Sequence, residues 1–246
     1  MPVTLGEKAQ LVYNVANLKE SIAFYQRLGF ELLDTPNRNK DWALLSDQAL
    51  FLLLNEQEDS FTGLSYMSAD MPQRVAALEQ EGIQFDQSQS SEEGLIQATF
   101  FDPNRIGISL VRFNPTGMPD LDLNRETACG VFGEFFVPTD DYEGSVDFWK
   151  TIGYKALYTA ENPYPHGIFS DGRMIVGLHE RDDFTTPALS YFAPDMQKRI
   201  KRLKLEGVEL TETYPDQDGT VSNAVLTSPD GGNIFLFEGS FKRESA

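Results

Sequence analysis

Ser21-Ile22-Ala23-Phe24-Tyr25, closed by Leu28-Gly29-Phe30, returns 124 residues later as Ser145-Val146-Asp147-Phe148-Trp149, closed by Ile152-Gly153-Tyr154. Ser46-Asp47 returns as Ser170-Asp171 at the same step. Leu64-Ser65-Tyr66, Asp70-Met71 and Glu81-Gly82-Ile83 return as Leu189-Ser190-Tyr191, Asp195-Met196 and Glu206-Gly207-Val208, a step of 125. Asp102-Pro103 becomes Ser228-Pro229 at 126. Blocks kept in one order with so little drift mark a duplicated module.

Within a module the pattern also runs twice. Gln10–Val15 alternates like a strand, and Asn17 and Ser21 bracket a helix start. Ile22, Phe24, Tyr25 and Leu28 cover one helical face, and Gly29 stops it. Phe30–Asp34, Trp42–Ser46 and Ala49–Leu54 follow as strands. The pattern restarts with a strand at Leu64–Ser68, a helix at Met71–Glu81, and strands at Ile83–Phe85, Gly94–Asp102 and Gly107–Phe113. The second half repeats it, with a helix at Met196–Glu206. This predicts an α+β fold of two tandem modules, each of two βαβββ units, with curved mixed sheets forming a cup. The first module spans 1–113, a Pro- and Asp-rich linker 114–127, and the second module 128–246.

Charge and cysteine content narrow the function. The net charge of −18 opposes binding to nucleic acid or anionic lipid. No apolar run approaches the roughly 20 residues of a membrane span, and Met1–Gln10 lacks a secretory layout. The single cysteine, Cys129, rules out an internal disulfide framework and reads as a small buried filler. A cytoplasmic protein is expected. The basic run Lys198-Arg199-Lys201-Arg202-Lys204 alternates with Ile200, Leu203 and Leu205 and reads as a solvated helix face, with an anion site as the alternative.

The helix Ser-x-x-Phe-Tyr followed by Leu-Gly-Phe resembles the glyoxalase, bleomycin-resistance and extradiol-dioxygenase superfamily, the vicinal oxygen chelate proteins. Ser21, Phe24, Tyr25, Leu28, Gly29 and Phe30 carry the resemblance, as do Ser145, Phe148, Trp149, Gly153 and Tyr154. Asp102-Pro103 and Ser228-Pro229-Asp230-Gly231 are similar to the family's turn before its last strand. The resemblance implies a cup that holds a small molecule, with a divalent metal in many members. Its metal positions fall on Gln10, Leu52 or Leu53, Gly63 and Ser109 in the first module. In the second they fall on Phe132, Gly177, Ala188, and Phe235 or Leu236. Neither set supplies several oxygen or nitrogen donors, so no cofactor is expected, with a divalent metal at a shifted site as the alternative.

Strand alternation places Phe132, Glu134 and Phe136 on one face, with His179 and, if Gly231-Gly232 is absorbed in the turn, Glu238 as further pocket groups. His179 and Glu134 have the chemistry of an acid-base or metal pair, and His179-Glu180 also reads as a strand-end polar pair at solvent. His166, beside Tyr164, is a candidate at the pocket mouth; in the first module only Gln10 and Asn14 remain as polar candidates. The expected function is binding of a small organic ligand by a monomer or homodimer, without the usual metal. The alternative is a metal-dependent lyase, isomerase or dioxygenase of the glyoxalase type, using a shifted site in the second module.

Overall fold

The computed structural model describes residues 4–36, 41–59 and 61–240. Positions 1–3 and 241–246, the outer limits expected for the two modules, lie outside the described residues. The first repeat runs β1 (Lys8–Val15), α1 (Leu18–Arg27), β2 (Glu31–Asp34), β3 (Trp42–Ser46), β4 (Phe51–Glu56), β5 (Thr62–Ser68), α2 (Met71–Gln80), β6 (Gln87–Ser91), β7 (Gly94–Phe101) and β8 (Gly107–Arg112). After a two-residue strand, β9 (Glu126–Thr127), the second runs β10 (Gly130–Pro138), α3 (Tyr142–Thr151), β11 (Lys155–Ala160), β12 (His166–Ser170), β13 (Ile175–His179), β14 (Ala188–Ala193), α4 (Met196–Leu205), β15 (Glu212–Pro215), β16 (Val221–Thr227) and β17 (Asn233–Glu238). The strands form two mixed sheets, in the orders β2-β3-β4-β1-β5-β8-β7-β6 and β11-β12-β13-β10-β14-β17-β16-β15. The orders match position for position, as a duplication requires. This is the expected α+β plan of tandem modules.

The repeated blocks hold local structure together. Asn17 caps α1 by accepting from Glu20 N at 3.2 Å, and Asp141 caps α3 by accepting from Gly144 N at 2.9 Å. Gly29 and Gly153 end these helices at φ of 94° and 100°, a left-handed conformation that glycine adopts without cost. Each Ser-Asp block builds a turn: Asp47 Oδ1 accepts from Ala49 N and Leu50 N at 2.9 and 2.8 Å, and Asp171 Oδ1 from Arg173 N and Met174 N at 2.9 Å each. The strand expected at Ile83–Phe85 is not formed. Ile83 N instead bonds back to Leu78 O at 3.0 Å, so these residues complete the end of α2, and the strand begins at Gln87.

Two compact units arise, each drawing on both repeats. The first comprises Met1–Val12, Phe61–Pro119 and Val137–Thr185; the second comprises Tyr13–Ser60, Asp120–Phe136 and Thr186–Ala246. In the first unit the turn before β8 meets α3. Asp102 accepts from Trp149 Nε1 at 3.2 Å, and Asn104 Nδ2 donates to Ser145 Oγ at 3.0 Å. In the second unit the matching turn before β17 meets α1, where Ser21 Oγ donates to Asp230 Oδ2 at 2.5 Å and Ala16 N to Asp230 Oδ1 at 2.9 Å. The motif serines are thus buried polar anchors for the opposite repeat's turn. Among the described residues no helix is long and apolar enough to cross a membrane.

Candidate functional site

In the second unit, β10 carries a bulge that decides which side chains meet. Phe132 pairs with Tyr191 of β14 and Glu134 with Ser190, leaving Gly133 as the extra residue. Antiparallel partners share a face and successive β14 residues alternate, so Phe132 and Glu134 point to opposite sides. The expectation that Phe132, Glu134 and Phe136 share one face is therefore corrected for Phe132, which packs on Tyr191 with ring centroids 5.7 Å apart. Glu134 lies with Ser190, Phe136 and Phe235, since Phe136 is opposite Ala188, and Phe235 is beside Ser190 in the parallel β14–β17 pair.

That face is aromatic. Phe136 and Phe235 sit edge to face at 5.7 Å, Phe235 and Phe237 at 5.8 Å, and Phe192 and Phe237 at 5.4 Å. Glu134 is only 5% exposed and the Ser190 hydroxyl is buried without a hydrogen-bond partner, whereas Phe192 and Phe237 are half-buried. Gly133 permits the arrangement: a Cβ there would stand 2.5 Å from the Phe192 ring and 2.7 Å from Ser190 Oγ. Glu238 does not join it. It pairs with Ala193, one step out of phase with Phe235 and Phe237, and is exposed; the expected cavity-facing Glu238 is corrected accordingly.

In the first unit the two histidines come together. His166 and His179 are direct partners across β12 and β13, their rings stacked at 5.6 Å with planes 15° apart. His166 Nδ1 lies 2.8 Å from Tyr164 O, and the Tyr164 hydroxyl 3.3 Å from His179 Nδ1. His179 is 7% exposed, which corrects its reading as a strand-end group at solvent. The guanidinium of Arg181 lies 4.9 Å from the ring centres of both Tyr164 and Phe184 and pairs with Asp183, whose carboxyl this hydrogen bond holds below the usual range. Of the first-repeat candidates, Gln10 is buried in β1, while Asn14 Nδ2 is bonded to Asp59 O at 3.0 Å.

Two further polar groups were not singled out from sequence. In the second unit Tyr191 donates to Asp47 Oδ2 at 2.9 Å; in the first the hydroxyls of Tyr66 and Tyr154 lie 2.5 Å apart. Burial pushes all three phenols well above their ordinary value and raises the Asp47 carboxyl. The signal was present: Asp47, Tyr66 and Tyr191 all lie in repeated blocks.

Solved structures with this arrangement include a catechol 2,3-dioxygenase, 14% identical over 99% of this chain and 95% of that one, with a TM-score of 0.62. A Mn(II)-bound glyoxalase from Novosphingobium aromaticivorans is 15% identical over 93% and 80%, with a TM-score of 0.63. Homoprotocatechuate 2,3-dioxygenase from Brevibacterium fuscum is 12% identical over 98% and 73%, with a TM-score of 0.66. The chain has the vicinal oxygen chelate fold. No protein-family model and no curated protein matches the sequence.

For a vicinal oxygen chelate fold, the expectation of no cofactor is corrected. A structural neighbour is described as Mn(II)-bound, which points to a divalent metal. The described donors do not themselves fit one. Ser109 is bonded to Thr99 Oγ1 at 2.8 Å, Leu52 and Phe235 offer apolar side chains, and no group of three His, Cys, Asp or Glu converges among the described residues. No metal-dependent step is derived for this chain.

Proposed function

We propose that this protein binds a small organic molecule with a planar apolar part and one cationic or proton-donating group, on the face of the second unit that carries Glu134. One observation carries the reading: a carboxylate 5% exposed, set among Phe136, Phe192, Phe235 and Phe237. Aromatic faces supply stacking area and attract cations, and a fixed carboxylate orients a donor in low dielectric. The vicinal oxygen chelate fold supports it, since two of the matched structures are dioxygenases named for aromatic compounds, catechol and homoprotocatechuate. We take the binding species to be a cytoplasmic monomer or homodimer; the buried, unpaired Cys129 agrees with a reducing compartment.

The test is binding of aromatic amines and catechols to the full chain, followed by calorimetry. A ligand should emerge whose affinity falls at least about tenfold in Glu134→Gln, the scale of a lost charge-assisted hydrogen bond. Unchanged affinity in a folded Glu134→Gln would overturn the reading.

A second reading, an enzyme acting on a small aromatic molecule within the first unit, is favoured by the stacked His166–His179 pair with the Tyr164 hydroxyl at His179 Nδ1. An imidazole next to a phenol can pass a proton. Under this reading the parent turns over catechol and His179→Ala abolishes that turnover; turnover kept in a folded His179→Ala sinks it.

A further inference from the structure

The second unit contains a cleft of about 350 Å³ that shares no residue with the Glu134 face. Its walls come from the β3–β4 turn at Asp47 and Gln48, the β9 hairpin at Glu126 and Thr127, and two arginines, Arg125 and Arg202. The walls are tied in place. Asp122 N bonds Gln48 O at 3.0 Å, fixing the segment before β9 to the β3–β4 turn, and Arg199 of α4 holds the hairpin through Thr127 O at 2.6 Å and through the Glu126 carboxylate.

The lining of this cleft is formally neutral on a strongly acidic chain, Arg125 and Arg202 balancing Asp47 and Glu126. The protein carries −18 overall, yet the ten residues of α4 include Lys198, Arg199, Lys201, Arg202 and Lys204 and no acidic residue. The two acids of the cleft are both engaged elsewhere. Glu126 is paired with Arg199, and Asp47 is buried, its oxygens taken by Ala49 N, Leu50 N and the Tyr191 hydroxyl. Arg202 keeps one ion pair, Nε to Glu206 Oε1 at 2.9 Å, and the Arg125 guanidinium has no hydrogen bond or ion pair among the described residues. A guanidinium presents several donors in a planar fork that matches carboxylate and phosphate oxygens.

We infer that this cleft is a binding site for a small anion with several oxygens, a phosphate or a polycarboxylate, held by Arg125 and Arg202 with the Gln48 and Thr127 side chains at its walls. Isothermal titration of the full chain with citrate and, separately, with inorganic phosphate tests it and tells the two sources apart. At least one should bind with a Kd below about 1 mM at low salt, weakened at least about tenfold in both Arg125→Ala and Arg202→Ala. Lys198→Ala, which removes the same charge from α4 outside the cleft, should change the Kd less than about threefold. No saturable binding of either anion would overturn the proposal. So would an equal loss in Lys198→Ala, because it would reduce the effect to the field of α4. Circular dichroism of each variant separates a lost site from a lost fold.

Discussion

The buried Tyr191 hydroxyl donates to Oδ2 of Asp47 across 144 residues of sequence, at 2.9 Å. The bond joins a strand of the second repeat to a turn of the first. Burial raises the Asp47 carboxyl above its ordinary value, the hydrogen bonds from Leu50, Tyr191 and Ala49 opposing this only in part. A carboxyl raised on folding favours the folded state in its protonated form. Its contribution is complete below the unfolded pKa, near 3.8, and is lost as pH rises through the higher folded value. Asp47→Asn, which cannot ionise, should therefore gain on the parent as pH rises from 3.8 toward neutrality. Urea denaturation at a series of pH values reads this directly, and a gap that shrinks with rising pH would contradict it.

Tyr66 and Tyr154 share one buried hydrogen bond at 2.5 Å. Replacing either with Phe breaks this bond, and Tyr66→Phe leaves the Tyr154 hydroxyl short of a partner, which costs about 1–3 kcal/mol; Asp171 stands beside both phenols. Replacing both removes donor and acceptor together. The double variant should lose less than the sum of the singles, a coupling that chemical denaturation resolves.

Gly133 sits where a Cβ would strike the Phe192 ring and Ser190 Oγ. Gly133→Ala should lower stability by about 1–3 kcal/mol, as overpacking does. Because the bulge also turns Glu134 toward Ser190, the same variant should weaken any ligand held on that face, whereas a surface change such as Lys204→Ala should not. Thermal unfolding and ligand titration report the two effects separately.

Cys129 is buried, and burial pushes its thiol up to about 12. The thiolate is the reactive form, so the native protein should give almost no colour with a disulfide reagent at pH 8. One thiol per chain should appear once the protein is unfolded in guanidinium.

Most of the fold could be read from periodicity alone, because the repeated blocks reappear as matching turns, caps and strands in both sheets. Asn17 and Gly29 marked the ends of α1, and the order of elements followed. The candidate site was legible only in part. His166 and His179 stood out by scarcity, yet their stacking depends on the pairing register of β12 with β13. The faces of Phe132 and Glu134 turned on one extra residue, Gly133, and a bulge reverses alternation without altering composition. Glu238 went the same way: a one-residue phase at the end of β17 decides between pocket and solvent. The expectation of no cofactor rested on donors at aligned positions, which say nothing of the Mn(II) that a neighbour of the same fold is described as holding.

The Trp149–Asp102 and Ser21–Asp230 bonds give the connection between β8 and β10 a role beyond spacing. Each compact unit is completed by chain from both repeats, so neither repeat alone contains a whole folding unit. Two separate polypeptides would have to find one another at the cost of association. Joined in one chain through the segment between β8 and β10, each repeat meets the other at the high effective concentration of a tether. The connection turns a dilution-sensitive assembly into a folding reaction of first order, and frees the two repeats to diverge without losing each other.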